Sequence, residues 1–219
     1  MIAMREKINK NEALVLGVIL GDGHLGIYSN SYQVVISGNL TDDKEFLLDV
    51  IKPILEKLFK KHVGTNKRLG DNTLDLKISS KEVLFVINKR WKLPIGKKKE
   101  ISIASKFLDI PDITKNIISG FFATDGSLVI TNNNGIMYPR IEFQNISKKL
   151  LEQVQKILSN SIGLFGGGLY KMIRKNPTRI VYRLQYNGKR NLLKFKNKIG
   201  FINPKHKSKF IEYKLEMLV

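Results

Sequence analysis

The 219-residue chain contains no cysteine, which excludes a disulfide framework and any zinc site built on thiolates. It also lacks a long apolar run: residues 13–20 and 117–123 are the most hydrophobic stretches and fall far short of a bilayer span. The N-terminus shows no signal-peptide pattern, and no basic amphipathic helix with a strong apolar face stands out for an anionic membrane surface. The expectation is a soluble intracellular protein without a membrane partner, in the cytoplasm of a prokaryote or in an organelle. Acidic residues are scarce, with 19 Asp and Glu against 38 Lys and Arg. The resulting charge of +19 and pI near 10.0 exceed what solubility requires and point to a polyanionic partner. Residues 111–219 hold 19 basic and 6 acidic side chains, whereas residues 1–110 hold 19 and 13, so the second half should make more of the phosphate contacts.

What is present is a duplication. The segment Gly17-Val18-Ile19-Leu20-Gly21-Asp22-Gly23-His24-Leu25 returns as Gly120-Phe121-Phe122-Ala123-Thr124-Asp125-Gly126-Ser127-Leu128. Each copy is an apolar helical stretch with small residues four apart, ending in one Asp followed by Gly. A glycine within a helix costs roughly 1 kcal/mol relative to alanine, so Gly17 and Gly21 need a compensating gain. Close packing against a second small-residue face, Gly120 with Thr124, is that gain. Asn11-Glu12 and Pro111-Asp112 read as helix starts, and Gly23 and Gly126 as left-handed ends. Asp22 and Asp125 would then meet at one end of a helix pair. Two such charges about 4 Å apart repel by roughly 4 kcal/mol at an effective dielectric near 20, and a divalent cation relieves that.

The repeat extends past the motif. Residues 32–39 read as a strand, and Thr41 as the cap of a helix with a kink at Pro53. Residues 63–79 read as a hairpin and 81–91 as a helix. The second half gives strands at 127–131 and 138–145, a helix capped by Ser147, strands near 168–174 and 180–187, and a helix over 190–199. The fold class expected is α+β: two αββαββα units, residues 1–92 and 111–219, joined by a linker at 93–110. A pseudo-twofold axis through two packed motif helices would set their antiparallel sheets side by side as a saddle. Alternating strand positions on the open sheet faces carry Lys67, Asp75 and Lys77, then Arg140, Glu142, Lys171 and Arg183. Lys67, Arg140, Lys171 and Arg183 are the DNA-contact candidates, since a two-stranded ribbon fits the major groove.

At these residues the chain resembles a LAGLIDADG homing endonuclease of the single-chain, two-motif type, with residues 15–23 and 118–126 standing for the signature. The resemblance covers nearly the whole chain and implies a monomer that makes a staggered break in a long asymmetric DNA duplex. It implies Mg²⁺, with Mn²⁺ also accepted, held by Asp22 and Asp125 with help from the carbonyls of Gly21 and Thr124. By the same resemblance Gln144 and Lys77 are catalytic candidates that order water and stabilise charge. Gly38, followed by Asn39, stands as the first-half counterpart of Gln144, and Gln185 as the second-half counterpart of Lys77. His24, after the first Asp-Gly, reads as a turn or DNA-contact residue. The alternatives are a maturase acting on host intron RNA, which intact acids in both motifs do not favour, and a catalytically inactive DNA-binding regulator. An intein origin is disfavoured because neither Met1-Ile2-Ala3 nor Glu216-Met217-Leu218-Val219 offers splicing chemistry.

Overall fold

The computed structural model describes residues 8–175 and 178–213. The first motif lies in helix α1 (Lys10–Asp22), which leads without a loop into strands β1 (Gly23–Tyr28) and β2 (Ser31–Asn39). A π-helical turn at Phe46–Ile51 then runs into α2 (Lys52–Phe59), followed by the hairpin of β3 (Gly64–Arg68) and β4 (Thr73–Ser79) and by α3 (Lys81–Trp91). The second motif helix, α4 (Pro111–Asp125), opens the same order: β5 (Gly126–Asn133), β6 (Ile136–Asn145), α5 (Lys148–Ile157), β7 (Gly168–Arg174), β8 (Arg179–Asn187) and α6 (Lys189–Lys198). A further helix, α7 (Pro204–Glu212), lies beyond the elements read from the sequence. The strands form two four-stranded antiparallel sheets of identical order, β1-β2-β4-β3 and β5-β6-β8-β7. The α+β class and the αββαββα order are therefore both present.

Two compact units divide the chain. The first runs to Lys98 and takes in Ile103–Thr124; the second holds Lys99–Ser102 and the described residues from Asp125 onward. The second motif helix thus belongs with the first unit. Local bonds account for the division. Thr114 of α4 donates to the Phe107 and Leu108 carbonyls, fastening residues 103–110 to that helix. Ser147, fully buried before α5, donates to the Ile101 carbonyl at 2.8 Å and accepts from the Ile101 amide at 3.1 Å, which draws residues 99–102 into the second unit.

In the first unit α1 and α3 cover one face of the sheet, where Leu25, Val34, Ile36, Leu74, Leu76 and Ile78 are buried. α1 is buried almost all round from Glu12 to Leu20, because α4 packs against it backbone to backbone. A methyl group built on Gly17 would overlap the Ile117 carbonyl oxygen and stand 2.7 Å from the Phe121 amide nitrogen; one on Gly120 would overlap the Leu14 carbonyl oxygen. Lys10 in the first turn of α1 meets Asp112 in the first turn of α4 at 3.0 Å, so the helices run side by side in one direction. The Lys10 hydrogen bond, and then its charge, holds the exposed Asp112 carboxyl below the usual range. In the second unit α5 and α6 cover β6 and β8, and α7 reaches β5. Phe143, Phe195, Phe201 and Phe210 form one aromatic chain through that core.

Three local expectations are corrected. The cap of α1 is Asn9 rather than Asn11: its side chain accepts from the Glu12 amide while Glu12 accepts from the Asn9 amide, a closed capping box. Neither motif glycine ends its helix in the left-handed region. Gly23 is extended, with φ −84°, and Gly126 opens β5; at Gly23 a methyl group would come within 2.6 Å of the Ile19 Cα, so the requirement is space, not backbone handedness. Thr41 does not cap a helix; the Asn39 side chain accepts from the Thr41 and Asp42 amides instead. The discontinuity expected at Pro53 is a change from π to α geometry just before that residue, which cannot donate to the preceding turn.

Gly17→Ala and Gly120→Ala should each destabilise the protein by about 1–3 kcal/mol or more through overpacking. Gly70→Ala, with open space around it, should change stability by less than about 0.5 kcal/mol. Urea unfolding of the three variants checks this.

Candidate nucleic-acid interface and its acids

Each motif acid is the last residue of its helix, placed there because the following glycine turns the chain directly into the first strand of a sheet. Beside Asp22 the C-terminal turn of α1 leaves carbonyl oxygens without intrahelical donors. The ammonium of Lys98 fills that position, donating to the carbonyls of Ile19 at 2.9 Å, Leu20 at 3.0 Å and Gly21 at 2.5 Å. The Gly21 carbonyl, an expected metal helper, therefore already faces a cation. Lys98 gets there because the Gly96 amide donates to the Leu25 carbonyl at 2.7 Å, which docks residues 96–98 on β1. The stretch expected to be a plain linker supplies the lysine nearest the first acid's helix. The sequence shows three successive lysines, 97–99, and carries no local signal for which of them turns inward.

In the second unit the Asn145 side chain donates to the Asp125 carboxylate at 2.5 Å, and its own carbonyl accepts from the Ser147 amide at 2.8 Å. Asn145 is thereby held in place against the acid. Thr124, the other expected metal helper, turns its hydroxyl back onto the Phe121 carbonyl at 3.1 Å, leaving its own carbonyl at the helix end as the relevant oxygen. Among the described residues no cluster of three or more His, Cys, Asp or Glu gathers in one place. A cation here would be held by single acids, main-chain carbonyls and the nucleic acid, an all-oxygen set suited to Mg²⁺.

Strand register corrects several equivalences. Gly23 faces Ile36 and Gly126 faces Phe143, so Ser37 is the counterpart of Gln144, and Gly38 is the counterpart of Asn145. The amide that reaches the acid is thus Asn145. Gln144 lies one residue earlier on the opposite face, where its carbonyl accepts from Arg174 at 2.6 Å. Lys77 and Gln185 do correspond, facing Val35 and Glu142. Lys77 shares a row with His24, two strands away, or about 10 Å. It lines a shallow cleft of about 450 Å³ with Lys61 and His62. His24 itself bonds the Tyr28 hydroxyl at 2.9 Å.

Two of the four DNA-contact candidates lie on the wrong face. Lys67 stands opposite Leu74 and Lys171 opposite Tyr182, so both share the helix side of their sheets, at edge strands. They were misassigned because alternation was counted along β3 and β7 without the register that fixes its phase. The outer face carries Arg68 instead in the first sheet, bonded to Asp71 at 2.6 Å and Asp75 at 3.1 Å. In the second sheet it carries Arg140, Arg174, Arg179 and Arg183, of which Arg140 and Arg183 flank Glu142. That face is the more basic of the two, in line with the charge distribution of the sequence.

Comparison with known proteins accords with this geometry. Residues 112–200 match the family of LAGLIDADG-like domains. The fold is similar to the homing endonuclease I-DmoI in complex with DNA and Mn, at 22% identity over 87% of this chain and 96% of that one, with a TM-score of 0.62. It is similar to the LAGLIDADG meganuclease I-AabMI bound to uncleaved DNA, at 16% identity over 95% and 93%, with a TM-score of 0.54. Among curated proteins the chain is 27% identical over 217 residues to the tRNA-splicing ligase RtcB of Pyrococcus furiosus, covering 90% of this chain but 22% of that protein. It is 26% identical over 204 residues to the replication factor C small subunit of Methanocaldococcus jannaschii, covering 93% and 10%. A DNA polymerase of Acanthamoeba polyphaga mimivirus matches at 24% over 186 residues, covering 84% and 10%. The chain thus spans a tenth to about a fifth of the length of these relatives. No helix among the described residues is long and apolar enough to cross a membrane. The chain carries a LAGLIDADG-like domain in its second half and has the fold of the LAGLIDADG homing endonucleases.

Proposed function

We propose that the protein is a site-specific, metal-dependent DNA endonuclease that acts as a monomer and makes a staggered double-strand break in a long asymmetric duplex. The observation that carries this reading is the backbone-close, same-direction packing of α1 and α4, each of which ends in its motif acid. Residues 1–92 and 111–219 act as two repeats, each addressing half of the target through the outer face of its sheet. Residues 93–110 join them, and Lys98 makes that connection part of the chemistry. The curated relatives support a mobile segment. Some 200 residues of one kind recur within a ligase, a polymerase and a replication factor, so the shared part is none of those activities. A segment that cuts DNA at a chosen site has a means of entering such unlike hosts.

Asp22 and Asp125, with the carbonyls of Gly21 and Thr124, would hold the divalent ion, Mg²⁺ or Mn²⁺. When bound, that ion supplies Lewis acidity at the scissile phosphate. The protein's own groups do the rest. Lys98 sets a positive charge at the first acid's helix end, where charge develops on a phosphate oxygen. Asn145 orients Asp125 by donating its side-chain amide to the carboxylate. Lys77, on the outer face of the first sheet, adds a second cation toward the backbone, and Gln144 with Arg174 does so in the second. Arg140 and Arg183 read base edges, and Arg68 takes the part first assigned to Lys67.

Asp22→Asn and Asp125→Asn should each abolish cutting of a plasmid library in Mg²⁺ while retaining DNA binding. Unfolded variants, seen by circular dichroism, would show the acids to be structural instead. Lys98→Met should slow cutting about 10²- to 10³-fold with DNA affinity changed less than about tenfold; an unchanged rate would remove it from the site. With some 6–10 phosphates contacted, affinity for duplex DNA should fall about 10³- to 10⁵-fold between about 50 and 200 mM salt. A flat response in a fluorescence-anisotropy titration would contradict the DNA reading. Selective retention of structured intron RNA would favour the maturase.

A further inference from the structure

On the outer face of the second sheet sits a carboxylate that the proposed chemistry does not use. Glu142 is only 4% exposed, whereas its strand neighbours on that face, Arg140 and Gln144, are partly exposed. Its carboxylate lies 3.5 Å from the Arg140 Nε and 3.9 Å from an Arg183 terminal nitrogen. Register explains the meeting. Arg140 is two residues away on β6, hence on the same face, and Arg183 faces Gln144, one row further along β8. Glu142 is therefore flanked by one arginine on each side.

A buried acid on a DNA-facing sheet of a protein with charge +19 repels phosphate, so its presence there weakens binding to DNA in general. Its benefit must lie elsewhere. An arginine reads guanine by two parallel hydrogen bonds to O6 and N7, which demands that its planar fork be held at a fixed angle. Glu142 engages Arg140 through Nε, which leaves both terminal nitrogens of Arg140 for the base. Arg183 is braced twice, by Glu142 and by the Tyr170 ring 6.0 Å from its guanidinium carbon. Glu142 Oε1 and the Nε atoms of Arg140 and Arg183 are buried without a hydrogen-bond partner in the free protein. The pairs are thus ion contacts close enough to orient the forks without saturating them. At the equivalent place in the first sheet stands Val35, because both Val35 and Glu142 face the corresponding pair Lys77 and Gln185. The brace belongs to one half only.

We infer that Glu142 is a specificity-determining positioning residue, which holds Arg140 and Arg183 as a rigid pair reading two guanines in the half-site under the second sheet. The inference rests on the DNA-binding reading above. Its consequence is a trade in which Glu142 gives up affinity for arbitrary duplex in exchange for discrimination at two base pairs.

The test is selection from a randomised duplex library in Ca²⁺, sequenced after enrichment, with the wild type and with Glu142→Gln, Arg140→Lys and Arg183→Lys. The wild type should enrich a long sequence with two guanines in one half. Arg140→Lys and Arg183→Lys should each lose preference at one of them, by about 5- to 150-fold for a bidentate contact. Glu142→Gln should lose preference at both while binding unselected duplex as tightly as the wild type or several-fold more tightly. A merely structural role would instead lower affinity for all sequences alike and leave the base profile intact; that result overturns the inference while the endonuclease reading stands. Should Glu142→Gln fail to fold, the two arginine variants decide, since unaltered profiles in both overturn the proposal. Absence of any enriched sequence with the wild type would overturn both readings together.

Discussion

Two helices can lie with their backbones in contact only where neither presents a side chain, and Gly17 against Gly120 meets that condition. Most of the architecture follows from it. The close seam buries α1 nearly all round and offsets the intrinsic cost of helix glycines. Each sheet begins at the residue after its own motif helix ends, β1 after α1 and β5 after α4. Each acid occupies the last position of its motif helix. The Lys10–Asp112 pair marks the shared direction of the two helices but, being exposed, contributes little to their stability.

The sequence was readable where a pattern is local and repeated. The duplicated motif, the hairpin around residues 70–72, the helix at 81–91 and the Ser147 cap are each announced by residues within one turn of where they act. Readings failed where a long-range pairing decides. Lys67 and Lys171 alternate correctly along their own strands, yet the phase of that alternation is set by Leu74 and Tyr182 on the neighbouring strand. Gln144 and Asn145 are adjacent amides, and only the pairing of Gly126 with Phe143 shows which of them turns toward the acid. Lys98 was visible as one of three successive lysines. Its selection depends on the Gly96–Leu25 bond, a contact across some seventy positions of chain that no local rule encodes. Helix α7 is hard to read from sequence because only His206 and Phe210 are buried among its lysines, so one aromatic and one polar ring are all that mark its inner face.

The two halves share an architecture and differ in chemistry. The first acid's helix is closed by a lysine ammonium, while the second acid is held by an asparagine amide. The first sheet balances Arg68 and Lys77 against Asp75, and the second carries four arginines, two of which flank one buried glutamate. A duplicated fold with diverged halves suits a target whose two sides differ in sequence, which a symmetric dimer would read as a palindrome. On the proposed reading, charge supplies attraction that is blind to sequence, and the held side chains of the second sheet supply a means of choosing.

The central claim is that the two motifs cut one long asymmetric site on both strands. The most direct test is to incubate the protein with Mg²⁺ and a fragment library from its source genome, then to sequence every new DNA end alongside an Asp125→Asn control. Paired ends offset by a constant few nucleotides, recurring at one non-palindromic sequence and absent from the control, are the predicted result. Scattered ends, or ends equally abundant in the control, would contradict it.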